Sequence, residues 1–391
     1  MSVPARIVIV GASVGGVTAA EALRQDGFTG EIVLVGDEPH HPYLRPPLSK
    51  QVLLGVWGPE ETATHTAGQL DELGVELRVC CVATGLDVAG RTVHTSLGDV
   101  RYDEVIIATG SRPRRHPLVP TALTLRTVED AQALRAGLEA AHRIAVIGAG
   151  VLGSEIVSAA RKHGTDALMI GRTATLTFGG VGGLLSDRLI QLHRRHGAEL
   201  ALDTVALGTV AMGERTGIVL ADGRLEVADV VVSAIGATPR TEWLSSSTLT
   251  VADGVVCDSA GRAAPGVSAV GDVAAWEDPF TGKASRVEHQ TNAIEQAIAV
   301  AARIVKGEYG SQPAPFFWSE VHGTRIRAYG WFDTAHPLVA ADEGSSTNDA
   351  SVLLSHDSAE RLRGVVGWDA SPREFRTARA AVVPAPAFTT H

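Results

Sequence analysis

The sequence predicts an α/β chain with two parallel, doubly wound sheet units and a small C-terminal α+β domain. Three observations carry that expectation. "ARIVIVGASVGGVTAAEALRQDG" opens the chain and "HRIAVIGAGVLGSEIVSAARKHG" begins near residue 142, both built as an apolar β-branched run, a Gly-rich turn, an Ala-rich helical stretch and a closing Gly. Each is followed by a further apolar run, "EIVLVGDE" and "DALMIGRT", which makes β-α-β twice. After about residue 311 the pattern changes to short aromatic and β-branched segments.

The elements follow in order. "DEVIIATGSRPRRHP" is a strand ending in a Gly-Ser turn and a Pro-rich basic connection, and "ADVVVSAIGATPRTEWL" repeats the idea after the second unit. These read as two crossings between domains, so the second unit is inserted into the first. The expected limits are residues 1–108 and 233–310 for the first domain, 109–232 for the second and 311–391 for the third. "GVSAVGDVAAW" and the helical run "EHQTNAIEQAIAVAARIV" complete the first domain. In the third, "APFFWSEVHGTRIRAYGWF" and "RLRGVVGWDA" read as antiparallel strands, "AADEGSSTNDAS" as a polar turn or loop and "SPREFRTARAAVV" as a closing helix. The last few residues are expected to fray.

Composition narrows the function classes. At 391 residues the chain is too long for one simple core. A formal net charge of -10 argues against general nucleic-acid binding. Only Cys80, Cys81 and Cys257 are present, with no CxxC and no Cys/His cluster at metal-ligand spacing, so neither a disulfide scaffold nor a metal site is expected. The N-terminus runs straight into a strand and no apolar stretch reaches transmembrane length, so a cytoplasmic protein is expected.

The Gly-rich turns carry the chemistry. Gly11, Gly15 and Gly16, with Ser13 where a second glycine is usual, meet the demands of a dinucleotide pyrophosphate: a tight turn, close backbone approach and a helix N-terminus. The second turn is complete, with Gly148, Gly150, Leu152 and Gly153 between a strand and a helix. Between the units a strand ends in Ala108-Thr109-Gly110, and a later apolar run ends in Gly271-Asp272, where a carboxylate can accept from a ribitol hydroxyl.

Taken together, these residues make the chain resemble the FAD-dependent pyridine-nucleotide oxidoreductases of glutathione-reductase-like fold. Within them it is similar to the ferredoxin reductases that serve bacterial oxygenases and cytochromes P450. The resemblance covers essentially the whole chain through "PYLRPPLSK", "ATG", "LRTVEDA", "GDVA", "RVEHQTNAIEQA" and "PFFWS", of which "RPPLSK" is the most specific. It implies FAD contacts at Gly11, Ser13, Gly15, Gly16, Asp37, Arg45, Lys50, Val82, Ala108, Thr109, Gly110, Arg126, Gly271, Asp272, Gln290 and Trp318. Arg45 and Lys50, set around a Pro-Pro turn, suit a diphosphate. Asp37 and Glu38 end the second strand, where either can accept from an adenosine ribose.

For the nicotinamide unit the resemblance implies contacts at Gly148, Gly150, Leu152, Gly153, Glu155, Arg172 and Gly236. Glu155 faces the nicotinamide pocket by resemblance; read alone, it is an acid favoured by a helix N-terminus. Lys50 and Glu155 are the expected catalytic residues. Where the family often has Glu, this chain has Gly171-Arg172-Thr173, which permits a 2′-phosphate and points to NADPH, or to use of either NADPH or NADH.

A disulfide reductase of this superfamily needs a cysteine pair against the flavin, and none follows "RPPLSK" or either Gly-rich turn. Cys80 and Cys81 read as core packing on the strand leading to Val82. Electrons must then leave singly to a carrier, or to oxygen or a quinone. "PFFWS" offers Phe317 and Trp318 to cover the flavin, while Gln290 stands where several relatives have an aromatic. His289 lies beside the helix expected at the flavin, where it could be near the isoalloxazine, but it reads first as structural or solvent-facing. Arg114, Arg115, Arg325 and Arg327 are candidates for docking an acidic ferredoxin. The expectation is an NAD(P)H:ferredoxin reductase, monomeric or homodimeric, whose partner is a small acidic [2Fe-2S] or similar ferredoxin feeding a P450 or oxygenase, with no nucleic acid or membrane. The rivals are an NAD(P)H oxidase or quinone-type reductase, and a slow flavin-nicotinamide redox sensor of the apoptosis-inducing-factor kind.

Overall fold

The computed structural model describes residues 4–278, 282–308, 314–341 and 351–383. Strand β1 (Arg6–Val10) runs through a glycine turn into helix α1 (Val14–Gln25), which returns the chain to β2 (Glu31–Val35). Strands β3 (Val75–Arg78) and β4 (Glu104–Ile107) extend the same parallel sheet, with Ile9 opposite both Leu34 and Ile106. Ile7, Val8 and Ile9 are fully buried, because helices and neighbouring segments cover both faces. That is why β1 reads as a continuous apolar run and not as an alternation. Between β2 and β3, "RPPLSK" makes a tight 3₁₀ turn over Pro46–Ser49, preset by the fixed φ of its prolines.

The second unit repeats the plan. Helix α2 (Val128–Ala140) is capped by Thr127, whose hydroxyl accepts from the Asp130 amide. Then come β5 (Arg143–Ile147), α3 (Val151–His163), β6 (Asp166–Ile170), α4 (Ser186–Arg195), β7 (Glu199–Ala201) and β8 (Val230–Ser233). The strands form a parallel sheet in the order β7-β6-β5-β8. An antiparallel meander over Ala206–Met212, Arg215–Leu220 and Leu225–Ala228 lies between β7 and β8 and is absent from the sequence reading.

The two Pro-containing crossings lie side by side: Ser111–Pro113 pairs antiparallel with Ala237–Pro239. After the second crossing, β9 (Arg262–Ala264) and β10 (Val267–Ala269) join the first sheet, giving the order β9-β10-β4-β1-β2-β3. Helix α5 (Gln290–Lys306) packs on α1 through a face that includes Ala293, Ala297, Val300 and Ala301. Small side chains there let the two helices approach closely.

The C-terminal part is an antiparallel sheet of β11 (Phe316–Val321), β12 (Thr324–Gly330), β13 (Val339–Ala340), β14 (Ser351–His356) and β15 (Leu362–Trp368), ordered β11-β12-β15-β14-β13. Helix α6 (Pro372–Ala380) closes one face through Phe375. The other face shares a core with the second unit, where Phe317, Val321 and Ile326 meet Ile156, Phe178 and Leu189. The sequence reading has β11, β12, β15 and α6 but not β14. Most of the polar stretch before β14 (342–350) lies outside the described residues, as do the final residues 384–391. Among the described residues no helix is long and apolar enough to cross a membrane.

Candidate active site

Both glycine turns are forced by backbone crowding. Gly11 and Gly148 have φ of +120° and +125°, and a Cβ on them would stand 2.1 Å from the Ala108 carbonyl oxygen and 2.2 Å from that of Ala234. A Cβ on Gly16 would stand 1.8 Å from the Gly11 oxygen, and one on Gly153 would stand 2.1 Å from the Gly148 oxygen, so only glycine lets each helix sit on its strand. Ser13 and Gly150 are the N-caps, with φ of -98° and -102°, a conformation open to any residue. Ser13 therefore occupies its place without backbone strain. Neither helix has an acid in its first turn, so both N-termini keep an electropositive end.

The two turns open onto one cavity of roughly 1850 Å³. A single small-molecule pocket is typically about 300–1,000 Å³, so the space suits two dinucleotides better than one small ligand. From the first unit it is lined by Ser13, Gly15, Arg45, Lys50, Ala108, Gly110, Arg126, Gly271, Asp272 and Gln290, and from the C-terminal sheet by Trp318. From the second unit and the returning crossing it is lined by Gly148, Gly150, Leu152, Glu155, Arg172 and Gly236. Gly11, Gly16 and Gly153 support the turns from beneath.

Besides those three glycines, four predicted residues stand outside that lining. Asp37 forms an ion pair with Arg240 at 2.7 Å, and the Thr109 hydroxyl donates to the Arg240 carbonyl at 2.8 Å. Glu38 binds Arg45 at 2.6 Å and accepts from the Tyr43 hydroxyl. Val82 is exposed and its N–H donates to Ser96 Oγ.

The donors left over fit an anionic ligand. Arg45 and Arg126 both line the cavity, and each has a buried Nε without a hydrogen-bond partner among the described residues. Buried N–H groups are rarely left unpaired, and a diphosphate would supply acceptors of the right kind. Asp272 accepts from Arg126 at 2.9 Å and from the Ser111 hydroxyl at 3.1 Å, which fixes its carboxylate at the cavity wall.

At the meeting point of the two units, Lys50 Nζ lies 2.7 Å from Glu155 Oε1, with both side chains almost buried. The Ser49 hydroxyl donates to Glu155 Oε2 at 2.6 Å and the Ser319 hydroxyl to Oε1 at 2.5 Å. Glu155 falls in the second turn of α3, so the helix dipole alone does not account for an acid there. Ser49 and Ser319 escape the sequence reading, although both sit inside its quoted runs "RPPLSK" and "PFFWS".

Aromatic rings close the wall on the C-terminal side. Lys50 Nζ lies 5.4 Å from the Trp318 ring centroid, in cation-π range. Phe317 stacks on His289 at 4.8 Å and packs against Phe178 at 5.6 Å. His289 is thus part of the cavity wall and not a solvent-facing ring. Burial pushes its pKa down to about 4, so it is neutral near pH 7.

Two other expectations change. Cys80 is exposed, with φ of +50°, in a turn beyond the end of β3, while Cys81 alone packs in the core. Neither lines the cavity, nor does the buried Cys257. Arg327 is committed to structure: it donates to the Ala370 carbonyl and lies 5.0 Å from the Phe375 ring centroid. Arg325 is largely exposed with a loose 3.8 Å contact to Glu320, and Arg115 is exposed. Arg114 lines the cavity and donates to the Ala237 carbonyl at 3.2 Å. Among the described residues no group of three His, Cys, Asp or Glu side chains is placed to hold a metal ion.

The family model described as pyridine nucleotide-disulphide oxidoreductase matches residues 5–297. The benzene 1,2-dioxygenase system ferredoxin-NAD(+) reductase subunit of Pseudomonas putida is 33% identical over 382 residues, covering 96% of this chain and 92% of its own. The 3-phenylpropionate/cinnamic acid dioxygenase ferredoxin-NAD(+) reductase component of Photorhabdus laumondii is 31% identical over 381 residues, covering 95% and 94%. Among solved structures, the covalent putidaredoxin reductase-putidaredoxin complex superposes with a TM-score of 0.88 at 27% identity, over 97% of this chain and 93% of that one. These relationships support the use of a flavin and a nicotinamide dinucleotide. The chain belongs to the pyridine nucleotide-disulphide oxidoreductase family and is an oxidoreductase enzyme.

Proposed function

We propose that this oxidoreductase is an FAD-dependent NAD(P)H:ferredoxin reductase. It takes hydride from a nicotinamide cofactor and delivers electrons to a small acidic iron-sulfur protein that serves a P450 or oxygenase. The observation that carries this reading is the buried Lys50-Glu155 pair where the two nucleotide units meet, in a cavity whose wall contains no cysteine. Without a thiol pair, the electrons have no route through a protein disulfide.

The first unit would hold FAD, with its diphosphate at the α1 N-terminus beside Arg45 and Arg126, and its ribitol within reach of Asp272. Asp37 is the better candidate for the adenosine ribose: its single ion pair, to Arg240, leaves it 36% exposed, whereas Glu38 is held by both Arg45 and Tyr43 and is only 21% exposed. A bound flavin supplies a centre that accepts two electrons as hydride and releases them one at a time. Lys50 places a positive charge in the wall, and Glu155 balances it while presenting acceptor oxygens on the nicotinamide side. Phe317 and His289 exclude water from that end, and Trp318 stands half exposed at its edge. No general base is required, because hydride transfer depends on stacking geometry and not on proton abstraction.

The electron donor is NADPH, or either nucleotide. Strand β6 is followed by Gly171, where a Cβ would stand 2.9 Å from Ala149 Cβ and 2.8 Å from Leu202 Cδ2. The next residue, Arg172, is exposed at the cavity and has no carboxylate partner among the described residues. A guanidinium there suits a 2′-phosphate, and a Glu that would hold a 2′-hydroxyl is missing.

The test is anaerobic reduction of the flavin-loaded protein by NADPH or NADH, followed by addition of a [2Fe-2S] ferredoxin. Reoxidation by the ferredoxin, slowing steeply with added salt, is expected. Fast oxygen consumption with no ferredoxin reduction would make the protein an oxidase. Flavin reduction by NADH but not by saturating NADPH would overturn the role given to Arg172.

A further inference from the structure

Glu155 is gripped from all three parts of the chain. Its Oε1 accepts from Lys50 Nζ at 2.7 Å and from Ser319 Oγ at 2.5 Å, and its Oε2 accepts from Ser49 Oγ at 2.6 Å. Ser49 ends the Pro46–Ser49 turn of the first unit, Glu155 stands on α3 of the second, and Ser319 stands on β11 of the C-terminal sheet. Ser49 is 5% exposed and Ser319 1%, so bulk water does not compete for either hydroxyl.

A serine hydroxyl has one proton to give. The Ser319 proton is directed at Glu155. The Ser49 proton has a weaker alternative in the Pro46 carbonyl at 3.3 Å, and the Ser49 oxygen in turn lies 3.3 Å from Lys50 Nζ. Lys50 also reaches the Pro46 carbonyl at 3.4 Å. Both carboxylate oxygens therefore hold short charge-assisted bonds, and the ammonium is surrounded by acceptors fixed to the same turn. Such a network leaves Glu155 one orientation, and with it Lys50.

We propose that Ser49 and Ser319 are positioning residues for Glu155, holding its carboxylate and through it the Lys50 ammonium in place before the nicotinamide cofactor arrives. Ser319 makes this arrangement conditional on docking of the C-terminal sheet, because its strand also carries Trp318, which faces the same ammonium. The inference rests on the reading of the cavity as the place of hydride transfer between nicotinamide and flavin. It differs from a plain packing role in one respect: the serines act only through Glu155.

The experiment compares Ser49→Ala and Ser319→Ala, alone and in a Glu155→Gln background, as flavin-loaded full-length protein. Rapid mixing with NADPH or NADH under anaerobic conditions gives the rate of flavin bleaching. Equilibrium redox titration gives the flavin midpoint potential without turnover. Loss of a hydrogen bond to a charged group is worth about 1.5–3 kcal/mol, so each single alanine variant should bleach roughly tenfold to a hundredfold more slowly. Its midpoint potential should move to more positive values, because the Glu155 carboxylate is held less tightly beside Lys50 and offsets its charge less well. In the Glu155→Gln background the same changes should alter the rate by less than about twofold, since the partner is already neutral. Ser49→Thr, which keeps the hydroxyl, should recover most of the rate. Equal losses with and without Glu155, or alanine variants that match the wild type in rate and potential, would overturn the positioning role and leave the reductase reading intact. Wild-type protein that binds flavin but never bleaches would overturn both.

Discussion

The two glycine-rich units share a backbone plan and part company at one side chain. Gly11 and Gly148 adopt the same φ against the same kind of carbonyl, and Gly16 and Gly153 make the same helix-on-strand contact. The second strand of each unit is followed by a glycine wedged against an alanine of the turn: a Cβ on Gly36 would stand 2.8 Å from Ala12 Cβ, and one on Gly171 would stand 2.9 Å from Ala149 Cβ. The next residue is Asp37 in the first unit and Arg172 in the second. Asp37 is paired with Arg240, whereas Arg172 has no carboxylate partner among the described residues. On the proposed reading the difference teaches that backbone crowding makes a site for a diphosphate, while the charge just after that glycine selects what the adenosine ribose carries.

The strongest way to break the comparison is to block each turn separately. Gly16→Ala should abolish flavin retention, read as the flavin-to-protein absorbance ratio. Gly153→Ala should leave flavin bound but weaken the nicotinamide dinucleotide by more than about a hundredfold, given the 2.1 Å approach to the Gly148 oxygen. Loss of flavin in both variants would contradict the division of labour. The next effect is at the strand ends. Arg172→Ala should raise the Kd for NADPH by about tenfold to a hundredfold, the worth of a charge-assisted phosphate contact, and leave NADH within about threefold.

The units also differ in how they are held to the C-terminal sheet. The second unit meets it through three histidines: His322, in the turn between β11 and β12, lies 3.0 Å from His193 Nδ1 through its Nε2 and stacks on His196 at 4.3 Å. Arg161 on α3 adds a further positive charge facing His322. Burial, followed by the neighbouring charges, pushes the His193 and His322 pKa values down to about 4 and about 3. Both values lie below the unfolded value of about 6.5. Their contribution to stability is therefore complete above about pH 6.5 and is lost as pH falls toward the folded values. The slope is up to about 1.4 kcal/mol per pH unit for His193. Thermal melts between pH 7.5 and 5 should show Tm falling below about pH 6.5. His322→Asn should flatten that fall, since Asn tolerates the φ of +50° at this position. The smallest effect is expected at the N-cap: Ser13→Gly should change stability by less than about 0.5 kcal/mol, because Ser13 makes no side-chain cap bond.

Much of this was legible in the sequence. The two β-α-β patterns, the complete second turn and the interrupted first one are local signals, read within a few tens of residues. The meeting of Ser49, Glu155 and Ser319 was not, because those residues are 106 and 164 positions apart in chain order. The same holds for His193 and His322, 129 positions apart. Cys80 was misread because a two-residue apolar pair gives no periodicity from which to separate a strand from the turn after it. Strand β14 was lost in a polar context, and the Glu38-Tyr43-Arg45 cluster was invisible because side-chain pairing has no sequence period.

The most direct measurement is an anaerobic titration of the flavin-loaded protein with NADPH and, separately, NADH, following the flavin absorbance. The account predicts rapid stoichiometric bleaching, with NADPH effective, and recovery of the absorbance when a [2Fe-2S] ferredoxin is added. A bound flavin that neither nucleotide bleaches would contradict the claim that the two units meet to pass hydride.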